Sequence, residues 1–283
     1  MPPPASATTV VSLLGLGAMG RAMRERMVSE GLEVVAWERR QATPTLADAV
    51  GGAAVIVMML SDDHAMLEVL DAALAHARPG ALIIDMGTSG VAAAREADAR
   101  ARARGCAFID VPVSGTVGPA RKGTLLGFAG GAPEDITRAK PVLGVLCRRV
   151  IHAGGVGQGQ ALKVVLNGLG AHHLVAFASM LALGERAGLD RAAIVDAFTD
   201  GAFASPSYVG KKARVLERRY GEPEFSLRLT QKDLRLAREL AATSGMTLRA
   251  LDAVDGEVAR GVEAGLGDED LFALEKVYDR SKP

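Results

Sequence analysis

Over its first half the chain alternates between short unbroken apolar runs and longer segments whose apolar residues recur at helical spacing. Val10 to Leu14 is the first run, followed by glycines and a helical pattern that reaches Glu30 and stops at Gly31. Further strand candidates are Glu33 to Trp37, Val55 to Leu60, Ala81 to Asp85, Ala107 to Val111 and Leu125 to Ala129. Helical patterns fall between most of them, as at Asp63 to Ala77 and Val91 to Arg104. Strands that are apolar throughout, each separated from the next by a helix, predict a parallel sheet covered on both faces. After Gly154-Gly155-Val156-Gly157 the pattern is helical almost to the end: Gln158 to Gly188, Arg191 to Thr199, Ser207 to Arg219, Leu229 to Ser244, Ala250 to Ala264 and Asp270 to Asp279. The glycine cluster is the expected boundary between an α/β domain, 1–155, and an all-helical domain, 156–283, joined by the long helix.

One segment of that long helix complicates the reading. Val164 to Gly184 carries no Asp, Glu, Lys or Arg, a length that could cross a bilayer. It is interrupted by Asn167, His172, His173, Ser179, Gly168 and Gly170, and bracketed by Lys163 and Glu185-Arg186. A core helix that must be covered on most sides is the favoured reading, and it carries an expectation of self-association as a homodimer or homotetramer. No membrane partner is expected.

Composition removes other classes. The 283 residues are 49% hydrophobic and 23% charged, with a formal net charge of zero, so the basic footprint of a nucleic-acid binder is missing. Cys106 and Cys147 form neither a metal-like cluster nor a disulfide framework, and His172 and His173 lack a further ligand at metal spacing, so no metal is expected. Residues 1–8 read as a disordered leader rich in Pro, Ala, Ser and Thr, without a basic segment followed by an apolar one. The expected location is the cytoplasm.

The chemistry starts at Gly15-Leu16-Gly17-Ala18-Met19-Gly20. This GxGxxG follows a strand, opens a helix and is followed by a second strand within the usual unit of about thirty residues. Gly15 suits the tight turn, Gly17 the close approach of a pyrophosphate, and Gly20 the packing of helix on strand. The fold expected is therefore an N-terminal Rossmann-type doubly wound sheet followed by the helical domain. The second strand ends in Trp37-Glu38-Arg39-Arg40, which offers both an acid for a ribose hydroxyl and two arginines for a 2′-phosphate. The arginines favour NADP, and NAD stays open.

Three further segments carry a resemblance. Asp110-Val111-Pro112-Val113-Ser114-Gly115-Thr116 precedes Gly123-Thr124-Leu125; Gly157-Gln158-Gly159-Gln160-Ala161-Leu162-Lys163 runs on to Asn167; Phe225-Ser226-Leu227-Arg228-Leu229 leads into Gln231-Lys232-Asp233-Leu234. With the glycine motif, in this order and over almost the whole chain, they resemble the signatures of the β-hydroxyacid dehydrogenase family. The resemblance implies a nicotinamide-dependent oxidoreductase acting on a small carboxylated aldehyde or its hydroxyacid. It implies Lys163 as general acid and base, with Asn167 one helical turn later as its hydrogen-bonding companion. Ser114, Gly115 and Thr116 are implied as the substrate-carboxylate loop, and Lys232 as a cation for substrate or cofactor. Leu60, Ser61 and Thr88 fall where the family meets the cofactor, while Asp233 reads as a structural acceptor and Phe225 as either pocket wall or core. Two departures stand out: Thr116 replaces a usual glycine, and Leu166 replaces the first of two usual asparagines. An imine reductase and a non-catalytic cofactor-bound module are the alternatives, and Lys163 argues against both.

Overall fold

A computed structural model describes residues 10–40 and 43–278, so the leader expected at 1–8 lies outside the described residues. The chain divides into two compact units, 1–163 and 164–283.

The first unit runs β1 (Val10–Leu14), α1 (Ala18–Ser29), β2 (Glu33–Trp37), α2 (Leu46–Gly51), β3 (Val55–Met58), α3 (Asp63–Leu74), β4 (Leu82–Asp85), α4 (Val91–Ala103), β5 (Ala107–Asp110), β6 (Val113–Ser114), α5 (Val117–Lys122), β7 (Leu125–Gly130), α6 (Pro133–Leu146) and β8 (Cys147–Gly154). The sheet order is β2-β1-β3-β4-β5-β7-β6, with β8 added beside β7. The strands from β2 to β5 are parallel in register, Val11 opposite Val34 and Val55, and Asp85 opposite Asp110. Strand residues alternate between two cores, as a strand buried on both faces requires. Val55, Val57, Leu82 and Ile84 pack with Met23 and Met27 of α1 and Val142 and Leu146 of α6. Ile56, Met58, Ile83 and Phe108 pack on the opposite face with Val50 of α2, Leu70 of α3 and Ala94 and Ala97 of α4. This is the doubly wound sheet that the alternation predicts.

Beyond β5 the sheet departs from the purely parallel expectation. β7 runs antiparallel to β5 and to the short β6, and β8 returns parallel to β7. β8 has no counterpart among the sequence expectations. Its residues are half-exposed, with Arg148 and Arg149 facing solvent, so neither an apolar run nor a clean alternation marks it. α6 carries Pro141 in its interior, which masks a helix from any reading based on breakers.

The second unit begins within α7 (Gln158–Arg186) and continues through α8 (Arg191–Asp200), α9 (Pro206–Leu216), α10 (Leu227–Thr243) and α11 (Arg249–Gly261). The helix expected over Ala250 to Ala264 ends earlier, in a π-type turn over Val262–Leu266 where Gly265 takes φ 84°. The last expected helix is a 3-10 segment, Leu271–Tyr278. Phe177 centres the core, with Phe198, Tyr208 and Phe272 rings 4.7–5.1 Å from its own. α7 is long and apolar enough to cross a membrane by length and composition alone, a test that a core helix also passes.

Candidate active site

The glycine motif forms a tight turn at the carboxyl end of β1. The Gly15 N–H donates to the Trp37 carbonyl at 2.9 Å, fixing the turn to the end of β2. Gly15 has φ +103°, and a Cβ there would stand 2.4 Å from the Met59 carbonyl oxygen. A Cβ on Gly20 would stand 1.9 Å from the Gly15 oxygen, so only glycine lets α1 start this close to β1. Gly17, in contrast, faces open space. The first turn of α1 has no side-chain cap and no acidic residue. Its N–H groups and the positive end of its dipole are therefore available to an anion. A dinucleotide pyrophosphate fits this cradle. Leu16 and Met19 turn their side chains into the core, so what they and the exposed Ala18 offer a ligand is backbone.

The loops after β3 and β4 close in on the same turn. Leu60 packs against Gly15, and its carbonyl lies so near Gly87 that a Cβ there would come within 2.8 Å. Ser61 donates to Asp62 at 2.6 Å, and Asp62 in turn caps α3 by accepting the Ala65 N–H. Thr88 lies between Gly87 and the buried Ser89. Past β2, Glu38 pairs with Arg21 of α1 at 3.1 Å, and Arg39 pairs with Glu68 of α3 at 2.7 Å; Arg39 and Arg40 are exposed. The carboxyl ends of β1, β2, β3 and β4 thus carry the expected cofactor residues of the first unit, where open α/β sheets bind ligands, while Lys232 lies on α10 of the second unit.

Lys163 is buried, at 8% exposure, on the second turn of α7. That helix is anchored by two acids to which the sequence motifs assign no role. Asp110, at the end of β5, accepts the Gly157 N–H on one carboxylate oxygen and the Gln160 N–H on the other, both at 2.7 Å. Asp85, its register partner at the end of β4, accepts from the Gly87 N–H, the Ser89 hydroxyl and the Gln160 amide. The two acids become register partners only in the fold. Their shared partner Gln160 lies 50 and 75 residues further along the chain.

Burial pushes the Asp110 carboxyl from an ordinary 3.8 up to about 6, opposed by the N–H groups of Gly157 and Gln160. The folded protein therefore holds this proton more tightly than the unfolded chain. The stability tied to Asp110 is greatest below about pH 4, falls by about 3 kcal/mol as pH rises to about 6, and is level above. Urea unfolding of wild type and Asp110→Asn across this range checks it: the variant loses that downward slope, and equal slopes contradict the assignment.

Ser114 ends β6, half-buried; Gly115 follows with φ 131°, and Thr116 precedes α5 without capping it by its side chain. In the helical unit, the Asn167 amide donates to Asp233 at 2.5 Å, and the Lys232 ammonium stands 3.3 Å from the other Asp233 oxygen. Asp233 is thus the acceptor it was expected to be, and it leaves the Asn167 carbonyl oxygen to another donor. Asn167 and Asp233 line a cavity of about 140 Å³ with Ser207, Phe225 and Thr230. Phe225 is a wall of this cavity, and Ser207 is a polar lining residue that no motif marked. His172 bonds back to the Gly168 carbonyl. Among the described residues no group of His, Cys, Asp and Glu could hold a metal ion.

Comparison with known proteins agrees with the two units. A family model described as the NAD binding domain of 6-phosphogluconate dehydrogenase matches residues 10–155. A second, described as NAD-binding of NADP-dependent 3-hydroxyisobutyrate dehydrogenase, matches 157–278. A probable 3-hydroxyisobutyrate dehydrogenase of Mycobacterium tuberculosis is 33% identical over 84% of this chain and 87% of its own. The chain belongs to the β-hydroxyacid dehydrogenase family. Glyoxylate/succinic semialdehyde reductase 1 of Arabidopsis thaliana is 28% identical over 93% of the chain and 96% of its own. The solved 3-hydroxyisobutyrate dehydrogenase of M. tuberculosis with L-serine superposes with a TM-score of 0.85 at 30% identity, covering 95% of this chain and 99% of that one. As a member of this family, the protein is a nicotinamide-dependent oxidoreductase.

Proposed function

We propose that this β-hydroxyacid dehydrogenase interconverts a small carboxylated aldehyde and its hydroxyacid, prefers NADP, and uses Lys163 as its general acid and base. The observation that carries the reading is the buried Lys163 on a helix start clasped by Asp110, four residues before an asparagine whose amide Asp233 orients. When bound, a reduced nicotinamide supplies the hydride. Lys163 Nζ donates its proton to the carbonyl oxygen as negative charge develops there, and regains one from the hydroxyl in the reverse direction. The Asn167 carbonyl oxygen, left over from its bond to Asp233, is an acceptor that can orient the lysine ammonium. The Ser114 hydroxyl and the backbone of the Gly115 turn supply donors that a carboxylate requires, and Lys232, in the helical unit, is a cation for substrate or cofactor. The names of two relatives, 3-hydroxyisobutyrate dehydrogenase and glyoxylate/succinic semialdehyde reductase, share that carboxylate.

The NADP preference rests on charge. Arg21 neutralises Glu38, the group that would repel a 2′-phosphate, and the Arg39–Glu68 pair is solvent-exposed and therefore weak. Arg39 and Arg40 can give that phosphate charge-assisted hydrogen bonds. Replacing both by alanine is expected to raise the KM for NADPH by about 10- to 100-fold, the worth of such bonds, while KM for NADH stays within about threefold. A parallel rise for both cofactors would refute the preference. Self-association belongs to the same reading. Val165, Leu169, Met180 and Leu183 are exposed on α7, and the solution mass would show a dimer or tetramer.

The deciding experiment follows nicotinamide absorbance with glyoxylate, succinic semialdehyde, methylmalonate semialdehyde and a cyclic imine, using NADPH and NADH. Turnover of a carboxylated aldehyde supports the reading. Turnover of the imine alone, surviving Lys163→Ala, overturns it.

A further inference from the structure

Gln160 is fully buried, and every polar atom of its side chain is engaged. Its Oε1 accepts the Ser89 N–H at 3.0 Å. Its Nε2 donates to the Gly87 carbonyl at 3.0 Å and to the Asp85 carboxylate at 3.2 Å. The backbone partners fix which end of the amide is oxygen, since a carbonyl can only accept and an N–H only donate. Its own N–H goes to Asp110. One residue therefore links three pieces of the first unit: the end of β4, the end of β5 and the 87–89 loop. It lies on the first turn of α7, one turn before Lys163. The loop it grips carries Thr88.

The packing around it leaves no slack. A Cβ at Gly159 would stand 2.2 Å from the Phe128 carbonyl oxygen and 2.7 Å from Asp110, and a Cβ at Gly130 would stand 2.5 Å from Asp110. The first turn of α7 is thus pressed onto the sheet end at backbone distance. A clasp of this kind fixes a helix in rotation as well as in position, because the backbone and the side chain of one residue are bonded to different elements. A carboxylate clasp alone, as at Asp110, would hold the helix start and leave the 87–89 loop independent.

We propose that Gln160 is a positioning residue, which ties the Thr88 loop to the start of α7 and so holds Lys163 in a fixed relation to the cofactor side of the site. The proposal rests on the reading of Lys163 as general acid. A misplacement of about 1 Å in such a group costs on the order of 100-fold in rate. Neither Asp85 nor Asp110 touches the reacting atoms in this scheme. They act through Gln160 and the helix backbone.

The test compares full-length wild type, Gln160→Met, Gln160→Glu and Lys163→Ala with succinic semialdehyde and NADPH over a range of pH. Gln160→Met keeps the length and removes the polar ends. It is expected to lower kcat by about 30-fold or more while the KM for NADPH moves by less than about threefold. Gln160→Glu replaces the donating end with an acceptor facing the Asp85 carboxylate and the Gly87 carbonyl. Asp85 faces the new carboxyl from β4, Asp110 of β5 holds the backbone N–H of the same residue, Lys163 lies one helical turn on, and Asp63 and Arg95 lie further out, bonded to Gly90 and beside Gly157. Its activity is expected to be low at neutral pH and to recover as pH falls, because the protonated acid regains a donor; wild type shows no such recovery. Hydrogen exchange supplies a readout without turnover: amides of 86–90 and 157–163 exchange faster in both Gln160 variants, and the rest of the first unit is unchanged. Near-wild-type kcat with a flat pH response in Gln160→Glu overturns the proposal, as does faster exchange spread over the whole unit. Full activity in Lys163→Ala overturns the catalytic reading instead, and the exchange pattern then decides the tie by itself.

Discussion

With Lys163 as the proposed general acid, Lys163→Ala is expected to lower kcat by about 100-fold or more, the usual worth of such a group, and to lower kcat/KM by the same factor. A loss confined to the transition state leaves both substrate and cofactor binding near wild type. The residues proposed to cradle the pyrophosphate and the ribose lie at the ends of β1 to β4, on other elements than the helix that carries Lys163. NADPH affinity measured by fluorescence therefore stays within about threefold while turnover collapses. Lys163→Arg is the sharper control. A guanidinium keeps the positive charge but does not release its proton. If the lysine served only to attract a carboxylate, arginine would restore most of the rate; if it transfers a proton, Lys163→Arg stays as poor as Lys163→Ala. Small primary amines added to Lys163→Ala should return part of the activity in the second case and none in the first.

The parts of this site that were legible in the sequence are those where local chain chemistry determines geometry. GLGAMG has one low-energy arrangement between a strand and a helix. Gly15 must take a positive φ, and Gly20 must meet the Gly15 carbonyl, so the motif identifies both the turn and what it leaves open. β3 and β4 are buried on both faces, and runs such as Val55-Ile56-Val57-Met58 show it without any alternation. β8 was hidden because a half-exposed edge strand need satisfy neither pattern, and its partner β7 supplies the register. The clasp was hidden for a different reason. Asp85, Asp110 and Gln160 are polar residues buried together, and only the fold shows that the acids, apart in sequence, become register partners. Asp233 could be read as an acceptor from its company in the Lys232-Asp233 motif, but its donor Asn167 sits on another helix. Site residues that work through long-range hydrogen bonds are the ones a linear pattern misses.

The same holds for the charged cluster that closes the helical unit, and it gives the largest stability effect expected here. Arg191 of α8 spans Glu185 of α7 at 2.8 Å and Glu275 of the 3-10 segment at 2.6 Å, and donates to the Val215 carbonyl of α9. Arg191 and Glu275 are only 15% and 5% exposed. Burial works against the charged guanidinium, and the hydrogen bonds it donates to Glu185 and Glu275 more than offset it, so its pKa is raised overall. Arg191→Met leaves the buried Glu275 with only the more distant Arg218, at 3.9 Å, and the Tyr220 hydroxyl, and removing one side of a buried pair costs about 3–5 kcal/mol. At about 2–4 °C per kcal/mol for a chain of this size, the melting temperature falls by about 10 °C. Glu275→Leu in the same chain removes the stranded charge as well. The double variant should recover much of the loss, because a desolvated pair often does little better than apolar residues of similar volume. Calorimetry separates the outcomes. A double variant as unstable as Arg191→Met would mean that the bonds from Arg191 to Glu185 and the Val215 carbonyl, rather than the stranded carboxylate, hold the α7–α8–α9 corner together.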